Sequence, residues 1–199
     1  MVKLNVEIVD VANEYKNSSN EHYKQKMEKA DKGYSWDKNQ LAHIETIFAR
    51  YPNDEKGKKS ALLPLLHYAQ DQFEGWLPIS LMQLVADTID MPLMKVQEVA
   101  TFYTMYNLKP VGKYHLQVCT NCACVVNGVG EVLDAVKEEV GEIVDGMSTD
   151  GLFTVTEVEC LGACIESPVI QVNKAYKTKL DAESAVDMVK QLRDKANKG

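Results

Sequence analysis

His115-Leu-Gln-Val-Cys119-Thr-Asn-Cys122-Ala-Cys124 decides how the rest of this 199-residue chain is read. The run ahead of Cys119 has the look of a strand, and it ends in a packet of three cysteines. A second strand-like run, Phe153-Thr-Val-Thr-Glu-Val-Glu-Cys160, ends in a second packet, Cys160-Leu-Gly-Ala-Cys164. All five cysteines lie between positions 119 and 164. Two thiolate pairs carried on two strand ends make a four-sulfur cage, and such a cage is a metal site.

Thiolates are soft ligands that suit zinc or an iron–sulfur cluster. Structural zinc knuckles usually sit in Gly-rich loops with little sheet around them, and their metal does much of the folding. Here both packets extend from apolar strands that can build a core without metal. The wider gaps, Cys119 to Cys124 and Cys160 to Cys164, suit a rhomb of two irons better than one tetrahedral ion. Spacing favours iron and leaves zinc open. A redox pair at Cys119 and Cys122 is a third reading, but it leaves the second packet without a purpose. An odd number of cysteines also argues against a closed disulfide framework.

Working outward, the chain is 45% hydrophobic and 26% charged, with a net charge of −7. Nothing marks a nucleic-acid binder. The longest apolar runs are far too short to cross a bilayer, so no membrane insertion is expected. The first residues lack a signal-peptide core and an Arg-rich transit character, so the chain is expected to stay where it is made, any presequence being already removed. Residues 1–11 alternate through Val2, Leu4, Val6 and Ile8, as an extended arm would. Residues 13–33 are polar and Lys/Glu-rich, a solvated helix or a linker.

Helical periodicity then takes over. Ser35 is placed to cap a helix carrying Leu41, Ile44, Ile47 and Phe48, and Ser60 to cap a second, with Pro64 in its first turn after a charged loop at 53–59. A third helix is expected over 80–89 and a fourth over 93–104, which together read as a helical bundle. Past residue 109 the period switches: strand 113–119, helix 129–140, strand 153–160, a hairpin at 169–179 and a last helix over 182–195. That order makes one sheet with two helices. The division expected is an arm or linker at 1–33, a helical bundle at 34–109 and a cysteine-bearing α/β domain at 110–199, an α+β protein.

The same residues carry a family resemblance. Pro110-Val-Gly-Lys-Tyr-His-Leu-Gln-Val-Cys-Thr120, Cys119-x4-Cys124, Thr149-Asp-Gly-Leu-Phe-Thr154 and Val158-Glu-Cys-Leu-Gly-Ala-Cys164 resemble the thioredoxin-like [2Fe-2S] subunit of respiratory complex I, the NADH:quinone oxidoreductase. Upstream, Leu63-Pro-Leu-Leu66, Glu74-Gly-Trp76 and Glu98-Val-Ala-Thr-Phe-Tyr103 resemble that family's helical domain. The resemblance implies a thioredoxin-like ferredoxin domain holding one [2Fe-2S] cluster through Cys119, Cys124, Cys160 and Cys164. It also implies a partner subunit that binds NADH and FMN, gripped by the helical domain, along with other peripheral-arm subunits. The hydride step would belong to that partner. Such a subunit would lie on the matrix side of the mitochondrial inner membrane or the cytoplasmic face of a bacterial one. The equivalent subunit of an NAD-linked hydrogenase or formate dehydrogenase is the near alternative, and a zinc-bound or decayed non-redox module the distant one.

The first cysteine loop departs from that family's pattern. Ala123 stands where a proline is usual, Val125-Val-Asn127 where an arginine-bearing run is usual, and Cys122 is extra. Losing the positive charge predicts a lower cluster potential than in arginine-bearing relatives. Cys122 reads as a small buried residue, a free thiol or a substitute ligand. Gly128-Val-Gly130 lacks the third glycine of a dinucleotide fingerprint, Leu133 standing there, and reads as a helix start. His115 reads as a packed or hydrogen-bonded strand residue, and His22, His43 and His67 share no ligand spacing.

Overall fold

The computed structural model describes residues 14–198. The alternating stretch at 1–11 lies outside them. After a short 3₁₀ turn at Glu14–Asn17 come five helices: α1 (Glu21–Asp31), α2 (Lys38–Phe48), α3 (Glu55–Gln72), α4 (Ile79–Ile89) and α5 (Leu93–Phe102). The remainder runs β1 (Tyr114–Cys119), α6 (Cys122–Val126), α7 (Val129–Val140), a small hairpin of β2 (Ile143–Val144) and β3 (Met147–Ser148), β4 (Phe153–Val158), β5 (Val169–Val172), β6 (Ala175–Thr178) and α8 (Ala182–Lys198).

Two helices start elsewhere than their serines suggest. Asp37 caps α2, its carboxylate accepting from the Gln40 N–H while the Gln40 side chain returns to the Asp37 N–H, a complete capping box. Asp54 caps α3 by accepting from the Gly57 N–H at 2.7 Å. The charged stretch 53–59 is therefore mostly helix, because a carboxylate at its head and Glu55 in its first turn favour the positive end of the helix dipole. Ser60 lies inside α3 with its hydroxyl on the Lys56 carbonyl. Pro64 is thus an interior proline, which denies the Ser60 carbonyl its i+4 donor. The helix survives because Ala61, Leu62, Leu65, Leu66 and Ala69 bury one face against the bundle.

That bundle has its own core, centred on Leu65, Leu66, Leu77, Leu81, Val85 and Val96. The second core lies between the sheet and two helices. Leu116 and Val118 of β1, Phe153 of β4 and Ile170 of β5 meet Val132, Val136 and Val140 of α7 and Ala185, Met188 and Val189 of α8. The apolar spacing along α7 and α8 is helical, so each presents one stripe to the sheet. Arg193 clamps the pair: its guanidinium donates to the Glu139 carboxylate at 2.9 Å and the Glu139 carbonyl at 3.1 Å, with the Phe153 ring 5.4 Å beneath.

Strand order is β4-β1-β5-β6, with β1 and β4 parallel and the other pairs antiparallel. The parallel pair matters most. Its register runs from Tyr114 opposite Phe153 to Cys119 opposite Val158, so both strands end on the same side of the sheet. The opposite face of the sheet carries His115, Gln117 and Gln171 and no helix of the α7–α8 layer.

Candidate metal centre

Parallel pairing delivers the two packets to one edge. Cys119 is the last residue of β1, and Thr120 donates its N–H to the Val158 carbonyl at 3.0 Å, locking the two strand ends together. Cys160 follows two residues after Val158. Asn121 then caps the short helix α6 on the Cys122 N–H, which folds Cys124 back beneath Cys119. On the other side the turn at Cys164–Glu166 returns Cys164 towards Cys160.

The thiols stand as two pairs. Cys160 Sγ and Cys164 Sγ are 3.6 Å apart. Two thiolates on one tetrahedral metal, with bonds of about 2.3 Å, lie about 3.7 Å apart. Cys119 and Cys124 are both buried and near enough for each thiol to shift the other's pKa, Cys119 downward and Cys124 upward. Among the described residues, no three His, Cys, Asp or Glu side chains gather tightly enough for a single ion. The pairs sense one another: Cys160 first, and Cys119 from the other packet, push the Cys164 thiol up. A donor set of two close thiol pairs on adjoining strand ends fits a two-iron rhomb, one pair to each metal.

Backbone N–H groups favour the anionic form where burial opposes it. At Cys119 burial acts first, raising the pKa, but the N–H groups of Asn121 and Leu161 and the Cys124 thiol outweigh it and bring the thiol below its usual value. At Cys124 burial dominates and the thiol is raised, with the Val169 N–H acting against it. Gly162 N–H points at Cys160 Sγ from 3.3 Å. Tyr176, reaching across from β6, donates its hydroxyl to the Leu161 carbonyl at 2.7 Å and so braces the second loop. Asn121, Leu161 and Gly162 lie within the cysteine packets, but the aim of their N–H groups was not legible in the sequence, and Val169 and Tyr176 lie outside both packets.

Cys122 is exposed, unlike its neighbours Cys119 and Cys124, which are buried. The reading of it as a small buried residue is therefore wrong: α6 turns its first residue outward. Asn127 has an equally definite place. It ends α6, and its amide donates to the Ala123 carbonyl at 2.8 Å and to Ser167 Oγ at 2.7 Å, clipping the first cysteine loop to the end of the second. An Asn127→Arg chain is expected to titrate at a midpoint potential higher by tens of millivolts, because a solvated charge near the sulfurs contributes roughly 1 kcal/mol. An unchanged or lower midpoint in redox titration would contradict this.

His115 lies on the sheet face away from the helices, 8% exposed, with Nε2 2.9 Å from Thr156 Oγ1. Burial pushes its pKa down to about 4. Above pH 6.5 the ring is neutral in both folded and unfolded chains. Between about 6.5 and 4 the unfolded chain takes a proton that the folded one resists, so stability falls as pH falls. The expected loss is about 3 kcal/mol across that window. It is measured as the difference in urea unfolding between wild type and His115→Gln at pH 7 and pH 4.5; parallel pH profiles would refute it.

Known proteins resemble this chain along most of its length. A family model described as thioredoxin-like [2Fe-2S] ferredoxin matches residues 44–193. The chain is 44% identical over 161 residues to an NADH-quinone oxidoreductase subunit from Rickettsia bellii, covering 81% of this chain and 95% of that one. It is also 37% identical over 154 residues to NADH dehydrogenase (ubiquinone) flavoprotein 2, mitochondrial, of Dictyostelium discoideum, covering 77% of this chain and 62% of that one. A solved NAD+-reducing NiFe-hydrogenase in the air-oxidized state shares the fold, with a TM-score of 0.58 at 16% identity, over 67% of this chain and 23% of the hydrogenase chain.

Proposed function

The chain belongs to the thioredoxin-like [2Fe-2S] ferredoxin family, and from that premise we propose that it is an electron-carrying subunit of an NADH:quinone oxidoreductase. Cys119 and Cys124 would hold one iron, and Cys160 and Cys164 the other. The observation that carries this is the pair of parallel strands whose ends bring two thiol pairs together, with the second pair already 3.6 Å apart. When bound, the cluster supplies one-electron chemistry, accepting from a reduced flavin on a partner that binds NADH and FMN.

This chain's residues hold and present the site. The N–H groups of Asn121, Leu161, Gly162 and Val169 stabilise anionic sulfurs, Tyr176 and Asn127 hold the loops, and no hydride-transferring group is assigned here. The exposed apolar rim suits docking: Val125 and Val126 on α6 and Ile165 beside Cys164 are 58%, 85% and 96% exposed. Phe102, 76% exposed, stands at the end of α5 with Met105 and Leu108 beyond it. A cleft of about 930 Å³ runs from that connection to Cys160 and Leu161. The bundle and the cysteine loops would both meet the flavoprotein through such exposed apolar side chains.

Residues 34–109 and 110–199 are taken as the two domains of this arrangement. Among the described residues, no helix is long and apolar enough to cross a membrane. The protein would act peripherally, on the mitochondrial matrix side or the bacterial cytoplasmic face, beside other peripheral-arm subunits. The hydrogenase likeness is one of fold, and it leaves the equivalent subunit of a hydrogenase as the second reading.

Purification of the chain with its native partners tests the proposal. NADH should reduce the cluster when an FMN-bearing partner is present and leave it oxidised when the chain is alone. Reduction by NADH alone, or no reduction with the partner, would sink it. Nickel–iron subunits among the partners would select the second reading.

A further inference from the structure

Residues 13–33 read as a solvated helix or linker, yet α1 reaches from one core to the other. At its head, Asn20 is 1% exposed. Its Oδ1 accepts from the Tyr23 N–H at 3.2 Å, capping the helix. Its Nδ2 donates into the β2–β3 hairpin, to the carbonyls of Met147 at 3.2 Å, Ser148 at 3.3 Å and Val144 at 3.4 Å. Two residues on, the His22 ring packs on Gly151, where an added Cβ would come within 2.6 Å of it. The far end grips the bundle instead. Ser80 donates its hydroxyl to the Ala30 carbonyl at 2.8 Å, and Lys26 and Lys29 both pair with Glu74.

Among the described residues, few side-chain hydrogen bonds or ion pairs join the two units directly. Their cores share no residue. Between them lies a cleft of about 640 Å³, with Gln70 and Asp71 on one wall and His115, Gln117 and Gln171 on the other. Besides α1, it is spanned by the exposed Lys174–Asp71 ion pair and by the connecting segment before β1, where Val111 lies buried against Gly75. Two separately cored units divided by such a cleft move relative to one another unless something fixes them.

We propose that Asn20 is a positioning residue that fastens α1 as a strap, fixing the cysteine-bearing domain against the bundle. This rests on the reading in which both units dock one flavoprotein. The strap then sets where the four thiols stand relative to that docking face, without touching them. Asn20 acts through its donor: three carbonyls converge on one amide, a demand that no helix cap makes.

Asn20→Asp separates the two roles, since a carboxylate keeps the cap but faces the three carbonyls with no donor. Asn20→Ala removes both. The full cluster-bearing chain is compared as wild type and both variants. Both variants should exchange α1 amides about tenfold faster or more, since a lost donor leaves buried carbonyls unpaired. Both should widen in X-ray scattering and be reduced more slowly by NADH through the co-purified flavoprotein. The dithionite-reduced paramagnetic signal should not change. Wild-type exchange and scattering in Asn20→Asp would overturn the strap, leaving a cap alone. An opened chain reduced at the wild-type rate would overturn the positioning role. Failure of the flavoprotein to reduce even the wild type would overturn the electron-carrier reading, and positioning with it, while exchange and scattering still decide the strap.

Discussion

Cys119→Ser, Cys124→Ser, Cys160→Ser and Cys164→Ser chains should each come through reconstitution with iron content lowered more than about tenfold, whereas Cys122→Ser keeps its full complement. The difference follows from placement. Cys119 and Cys124 are both buried at the sheet edge, each shifting the other's pKa, and Cys160 and Cys164 already stand at the separation of two ligands on one metal. Cys122 is turned out to solvent at the first position of α6. Serine is close to cysteine in volume, so the fold should persist in all five, and circular dichroism checks that it does. Loss of iron in Cys122→Ser with retention in Cys124→Ser would transfer the ligand role and overturn the assignment.

Gly112→Ala should cost about 3 kcal/mol, at the upper end of overpacking effects, and lower the melting temperature by roughly 10 °C. A Cβ at this position would lie 2.7 Å from both the backbone carbonyl carbon and the nitrogen of Phe153, and 2.8 Å from the Leu152 carbonyl carbon. Those atoms have nowhere to go. Tyr114 N–H is fixed on the Leu152 carbonyl at 2.7 Å, Phe153 N–H on Ser148 Oγ at 2.8 Å, and Gly112 N–H on Thr154 Oγ1 at 2.9 Å. The added carbon therefore wedges β1 from β4, the pair that carries the cysteines. Gly130→Ala is the contrast, a glycine in α7 with open space around it; there alanine should stabilise by about 0.5 kcal/mol. Equal unfolding midpoints for Gly112→Ala and wild type would refute the wedge.

The helix α7 was legible to the residue because its apolar spacing, glycine start and glycine end agree with one another. The four strands of the main sheet were legible because alternation and the switch of period coincide past residue 109, whereas the two-residue strands β2 and β3 and the five-residue helix α6 are too short to show a period. The start of α3 was not. Ser60 and Pro64 supply stronger local start signals than Asp54, and only burial of Ala61 through Ala69 on one face shows that the helix passes through them. At the metal centre, sequence names the sulfurs but not the backbone donors, because an N–H is carried by every residue and only folding aims it. Tyr176 and Asn127 join loops far apart in the chain, so no spacing pointed to them. Asn20 escaped for the same reason: its three acceptors lie more than a hundred residues away.

Iron and acid-labile sulfide analysis of the reconstituted wild-type chain, read with its electron paramagnetic resonance after dithionite reduction, tests the central claim most directly. Four thiols in two pairs should bring about two irons and two sulfides per chain, with a signal from one unpaired electron that disappears on oxidation. One zinc per chain, no sulfide and no signal in the reduced protein would contradict it.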